Sequence, residues 1–222
     1  MRQIPLAMGL APACSFETYL AGPNRAALEH LRQLGPRSAP TYLWGPAGSG
    51  KTHLLGALAG AWQVAGERVG AFGATLPLPW TYDDGCKLIL LDDCEQLDAP
   101  RQQAAFALFV EATAQGVPWV AAGSVPPVDL PLRDDLRSRL AWGVVFALQP
   151  LSEADARAVL RRAADARGIF LSDEVMDYLL TRFARDLAHL TALLERLDEF
   201  ALANQRAVTV PLLRRMLAEE GV

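Results

Sequence analysis

The sequence predicts an α/β fold with a central parallel β-sheet, followed by a small all-helical domain, on three observations. Gly45-Pro46-Ala47-Gly48-Ser49-Gly50-Lys51-Thr52 stands between an extended apolar run, Thr41-Tyr42-Leu43-Trp44, and a run of helical character over 53–64. Lys87-Leu88-Ile89-Leu90-Leu91 is the kind of apolar stretch that fills a strand buried on both faces, and it leads directly into Asp92-Asp93. From Ser152 onward, cap residues and Gly/Pro punctuation divide the chain into helices with no strand-length run between them.

The first observation also carries chemistry. The eight residues fit G-x-x-x-x-G-K-[ST] at every fixed position, in the strand-to-helix context that a phosphate-binding loop requires. Glycines let the backbone turn its N–H groups onto an anion, and the following helix adds the positive end of its dipole. The spacing places Gly45, Pro46, Ala47, Gly48, Ser49 and Gly50 around the phosphates, with His53 just behind them in the helix. Lys51 is expected to reach the β- and γ-phosphates and the Thr52 hydroxyl to ligate Mg2+. Asp92 is expected to hold the same ion, directly or through water, and Asp93 to orient an attacking water. Paired acids at a strand end are ordinarily a solvated turn; a preceding phosphate loop favours the functional reading.

With 222 residues, 51% of them hydrophobic and 21% charged, the chain can bury one sizeable domain and a small one. A net charge of −4 and a pI near 5.4 give no overall basic signature for nucleic acid. Cys14, Cys86 and Cys94 lack metal-ligand spacing, which suits a reducing compartment. Pro5 and Pro12 interrupt the apolar start, which argues against a secretory leader, and no apolar run is long enough for a membrane span. A soluble cytoplasmic protein is expected.

Residues 1–14 read as a flexible tail, within which Gln3-Ile4-Pro5-Leu6-Ala7-Met8 is by itself a weak signal. A helix is expected over 25–34, N-capped by Asn24 and stopped by Gly35-Pro36. Phe16 and Tyr19 ahead of it fit a base pocket and core anchoring equally well. The strand over 68–72 follows Gly66, and Leu76-Pro77-Leu78-Pro79-Trp80 must be loop, because its prolines remove backbone donors. A helix over 100–114 has apolar residues at helical spacing, and a strand over 117–122 ends at Gly123-Ser124. Ser124 suits either a γ-phosphate contact or plain turn chemistry. A charged helix over 133–140 precedes the strand over 144–148; its arginines suit a solvated face or a neighbouring subunit's phosphates. Helices capped by Ser152 and Ser172 run to about 167 and 183, and two more cover 186–204 and the stretch from Pro211. The expected domains are therefore 1–14, 15–150 and 151–222.

Together, the ordered series resembles the AAA+ ATPases, and within them the DnaA/Hda branch, over about residues 15–220. Leu136-Arg137-Ser138-Arg139-Leu140-Ala141-Trp142-Gly143 is similar to the family's box VII, and Arg185-Asp186-Leu187 to its sensor 2. The resemblance implies bound ADP or ATP with Mg2+, Ser124 at sensor 1, Arg139 as an arginine finger acting in trans, and Arg185 touching the phosphates of the chain's own nucleotide. The initiator members continue past the lid into a DNA-binding domain and carry single-strand-contacting helices between the second strand and the acidic strand. Here the sequence ends at Val222 and that interval is a Pro-rich segment over 73–86, so direct DNA binding is not expected.

Those departures fit the Hda-like members, negative regulators of replication initiation that bind the DNA polymerase sliding clamp and stimulate ATP hydrolysis by DnaA. Gln3 to Met8 is similar to their clamp-binding peptide, with Pro5 and Met8 departing from the pattern. The complete Lys51-Thr52 and Asp92-Asp93 motifs imply nucleotide binding with at most weak turnover by the chain alone, and the AAA+ interface allows self-association. A helicase or transposase loader and, from another class, a phosphate-loop small-molecule kinase are the alternatives. Salt-sensitive DNA binding would mark the first and an acceptor pocket the second.

Overall fold

The computed structural model describes residues 14–182, 187–204 and 206–220. The peptide Gln3 to Met8 and Arg185 lie outside the described residues. Two compact units are present, Cys14–Ala156 and a second that runs from Arg157.

In the first unit a 3-10 turn, Gly22–Asn24, leads into helix α1, Arg25–Arg32. The helix ends earlier than its sequence pattern predicts, since the chain tightens through a Leu34 N–H bond to the Leu31 carbonyl before Gly35-Pro36. Asn24 stands at the N-cap position its residue type predicts, but its side chain makes no capping bond, because its amide is committed elsewhere. Strand β1, Thr41–Trp44, is followed by α2, Lys51–Val64, which starts two residues before the expected boundary. Next come β2, Arg68–Phe72, and β3, Cys86–Leu91. Between them residues 73–85 form no helix, and Trp80 is buried with its ring 5.4 Å from that of Phe72. Helix α3, Ala99–Ala114, strand β4, Trp119–Gly123, helix α4, Asp134–Ala141, and strand β5, Val144–Ala147, complete the unit. The β4 strand is shifted toward its carboxyl end relative to the sequence pattern, so that Gly123 is inside it.

The five strands are all parallel and lie in the order β2-β3-β4-β1-β5. Register sets Trp44 opposite Gly123 and Ala147, and Leu91 opposite Ala121. The carboxyl ends of β1, β3 and β4 therefore share one edge, where the strand order reverses and ligands bind in such sheets. Strand alternation sends Tyr42, Ile89, Leu91 and Trp119 to the face covered by α3 and α4. Leu43, Leu88, Leu90 and Val120 go to the face covered by α1 and α2.

In the second unit the described residues form α5, Glu153–Asp165, which begins before Arg157, then α6, Asp173–Arg182, α7, Leu187–Asn204, and α8, Val210–Glu220. The Ser152 and Ser172 hydroxyls accept from the Asp155 and Val175 N–H groups, and Thr209 does the same for Leu212. Leu160, Leu179, Leu194, Leu213 and Met216 fill the centre of this bundle.

Candidate nucleotide-binding site

The loop between β1 and α2 is shaped by close approach and by glycine. A Cβ added at Gly45 would lie 2.3 Å from the Leu148 carbonyl oxygen, so no side chain fits there. Gly48 and Gly50 hold φ of 75° and 91°, a region that favours glycine. Gly50 precedes α2 without any side-chain cap, leaving the first-turn N–H groups and the positive end of the helix dipole for a ligand. The Lys51 ammonium donates to the carbonyls of Gly45 (2.7 Å) and Pro46 (3.1 Å), so it is folded over the loop.

A nucleotide's phosphates and a hard divalent cation are the groups a loop of this sequence implies, and the residues present fit both. Ser49 is 3% exposed and its hydroxyl has no partner within the protein, in a cradle that is otherwise backbone and glycine. The Thr52 hydroxyl donates to Asp92 Oδ2 at 2.8 Å, which sets two hard oxygen ligands side by side at the mouth of the loop. Among the described residues no group of three His, Cys, Asp or Glu is placed to hold a metal alone. A hard divalent ion here would take its remaining ligands from phosphate and water, as Mg2+ does.

Asp92 and Asp93 fall just beyond β3 rather than inside it. Asp92 Oδ1 accepts the Asp93 N–H at 2.9 Å, and Asp93 itself is left-handed, with φ 52° and ψ 47°. Partial burial raises the Asp93 carboxyl above the usual aspartate range, the Asp92 and Glu95 charges add to that, and Lys51 opposes it. A raised carboxyl is a stronger proton acceptor, which suits a group that holds a water.

Ser124 follows β4 on the same edge. Its N–H donates to Glu95 Oε2 at 3.1 Å, and the Tyr42 hydroxyl donates to the Val125 carbonyl at 3.0 Å. Glu95 has no sequence signal at all, since only the tertiary structure brings it to Ser124.

The segment before α1 straps the mouth of the loop. Phe16 is buried among Leu28, Leu31 and Leu58, which makes it a core anchor. Tyr19 goes to the loop instead: a Cβ at Gly50 would meet its ring at 2.7 Å, and its centroid is 5.5 Å from the His53 ring. His53 turns to this strap, with Nε2 3.3 Å from Thr18 Oγ1 and 3.1 Å from the Ser15 carbonyl. The Asn24 amide donates to Tyr19 Oη and the Gln149 carbonyl and accepts the Gln149 N–H, tying the strap to the segment after β5. That pair of hydrogen bonds to Gln149 is why the Asn24 side chain, at the N-cap position, makes no bond to the helix it precedes.

The fold thus gathers Gly45 through Thr52, Asp92, Asp93 and Ser124, and sends Arg139 elsewhere. Arg139 is exposed in the last turn of α4. That helix delivers the chain to the amino end of β5, where Val144 lies opposite Thr41, whereas the loop follows Trp44 at the other end. Its neighbouring acids are occupied, Asp135 by Arg133 and Asp134 by Arg137.

A phosphate loop, an Asp-Asp strand end and a polar strand end on a parallel sheet of this order, followed by a helical lid, define an AAA+ nucleotide-binding protein. Residues 153–217 match the family described as the Hda lid domain. An uncharacterized protein of Haemophilus influenzae is 30% identical over 231 residues, spanning 97% of this chain and 98% of the relative. Domain III of the Thermotoga maritima replication initiation protein DnaA has the same fold, with a TM-score of 0.75 at 23% identity over 94% of this chain and 97% of that one. AMPPCP-bound DnaA from Aquifex aeolicus gives a TM-score of 0.69 at 22% identity over 94% of this chain and 70% of that one. The chain belongs to the DnaA/Hda family of AAA+ proteins. Among the described residues no helix is long and apolar enough to cross a membrane.

Proposed function

We propose that this protein is a nucleotide-bound negative regulator of replication initiation that acts in trans on ATP held by a DnaA partner. The observation that carries the reading is the separation of Arg139 from the chain's own phosphate loop, exposed and with Asp134 and Asp135 engaged by other arginines. A guanidinium so placed serves a neighbour's nucleotide, where its fork matches the oxygens of a γ-phosphoryl group. The match to the Hda lid family supports the same reading.

In the chain's own site the loop N–H groups and Lys51 hold the phosphates of ADP or ATP, with Arg185 reaching them from the lid. Thr52 and Asp92 hold Mg2+, which when bound neutralises charge on the phosphates. Asp93 positions a water, and Ser124 stands at the γ-phosphate. This site keeps the protein in its working form, with little turnover of its own, and Arg139 supplies to the partner the charge stabilisation that hydrolysis needs. Gln3 to Met8 docks the protein on the sliding clamp, in the cytoplasm, without direct DNA contact.

The test is hydrolysis by purified DnaA loaded with ATP, measured with and without this protein, DNA-loaded clamp and ADP. Stimulation that requires all three is expected, and Arg139→Ala is expected to abolish it while ADP and clamp still bind. Arginine fingers contribute about 10³- to 10⁵-fold in the best-measured phosphoryl transfers, so Arg139→Lys, a point charge without the fork, also loses most of the effect. An Arg139→Ala protein that stimulates at the wild-type rate removes the mechanism.

A further inference from the structure

We propose that Glu95 is a positioning residue that fastens the polar end of β4 to the Asp92-Asp93 turn, so that Ser124 meets the γ-phosphate of bound ATP. The proposal rests on the nucleotide-binding reading above. The last β3–β4 pair is Leu91 with Ala121, so β4 continues for two residues without a β3 neighbour. The Gly123 carbonyl points to β1, where it accepts the Gly45 N–H at 3.3 Å. The Ser124 N–H, on the opposite side of the same peptide unit, therefore points to the β3 side, past the point where that strand has ended.

A donor left there would lose a hydrogen bond in a half-buried setting. Glu95 takes the missing strand's place. The left-handed backbone at Asp93 turns the chain into the 3-10 turn Cys94–Gln96, and this carries the Glu95 carboxylate across to Ser124 at 3.1 Å. The room it occupies is made by glycine. A Cβ at Gly123 would lie 3.1 Å from Glu95 Oε2 and 2.2 Å from the Tyr42 hydroxyl. On the far side of Ser124, the Tyr42 hydroxyl holds the Val125 carbonyl at 3.0 Å. Ser124 thus stands between two side-chain anchors, one of which is attached to the turn that carries Asp93. The two strand ends that flank the γ-phosphate are joined by a carboxylate rather than by sheet pairing.

The experiment is calorimetric titration of the full chain with Mg-ADP and Mg-ATP in wild type, Glu95→Ala, Glu95→Gln, Ser124→Ala and the Glu95→Ala/Ser124→Ala double variant. Wild type is expected to bind both nucleotides with different affinities. Glu95→Ala is expected to keep ADP affinity within about twofold and lose roughly tenfold for ATP, the worth of one hydrogen bond to a charged group. A glutamine side chain at this position keeps an acceptor oxygen, so Glu95→Gln is expected to restore the ATP affinity. Ser124→Ala keeps the N–H that Glu95 holds but removes the hydroxyl, so it is expected to match Glu95→Ala. The double variant is expected to lose no more than either single one, because both changes cost the same Ser124 hydroxyl contact with the γ-phosphate. Equal loss for ADP and ATP would reduce Glu95 to a fold-stabilising residue and overturn the proposal. So would an unchanged ATP-to-ADP ratio, additive losses in the double variant, or a wild type that does not distinguish the nucleotides. A wild type that binds neither nucleotide overturns the underlying reading of the site, and the proposal with it.

Discussion

Two residues show how a single side chain sets a measurable property. Lys51 brings the one cation of the phosphate loop to Gly45 and Pro46, and those carbonyl contacts are exchanged for phosphate oxygens on binding. Lys51→Ala is expected to weaken ADP and ATP by at least about 100-fold in calorimetric titration, since hydrogen bonds to charged groups and the Coulomb attraction are lost together. His30 concerns stability. It packs on Phe146, with ring centroids 5.1 Å apart, and its Nε2 lies 2.8 Å from Thr41 Oγ1. Burial lowers its imidazole below the ordinary histidine value of 6.5. The unfolded chain then binds a proton more readily than the native one, so the stability His30 contributes is full above the unfolded value and is lost as pH falls through it and on to the native value. Melting temperature is expected to fall between pH 7.5 and 5.5, and His30→Gln to flatten that slope by a few degrees across the window.

Elements depend on contacts that secondary-structure patterns do not display. Helix α3 begins one residue before the expected Pro100, because Asp98 caps it by accepting the Arg101 N–H at 3.0 Å. Asp98→Ala is expected to cost about 0.5–2 kcal/mol in urea unfolding, and Asp98→Asn, which keeps the acceptor, only a small part of that. The Asp98–Arg101 ion pair at 2.6 Å is half exposed and adds little by itself. Helix α2 is legible in the sequence because an eight-residue motif marks its start, and β3 because its apolar run is continuous. The start of helix α1 at Arg25 is legible too, but not what its Asn24 N-cap does: Gln149, 125 positions away, takes the amide that would otherwise cap the helix.

At the scale of the whole molecule, the expected division of labour assigns partner capture to the start of the chain, nucleotide to the sheet edge and the second arginine contact to the lid. Deleting residues 1–9 is expected to abolish clamp association in a pull-down and leave ADP affinity unchanged within about twofold, because the folded unit that holds the phosphate loop begins at Cys14. A truncated protein that still associates with the clamp at full strength would remove Gln3 to Met8 from the mechanism.

What the sequence determined by itself was whatever is written in consecutive residues. The phosphate loop, the apolar strand with its two acids and the Ser-Arg helix each depend on backbone conformation or periodicity within a few positions, and each is where its motif places it. Tertiary structure alone decided the strand order, which brings Trp44, Leu91 and Gly123 to one edge and leaves Arg139 toward the other. It also decided which side chains complete that edge: Glu95 for Ser124, Tyr42 for Val125, and the strap of Tyr19 and Asn24 over Gly50. The physical reason is that a polar group is satisfied by whichever partner the packed chain presents, and for donors at the ends of parallel strands that partner lies tens of residues away, where no local pattern records it.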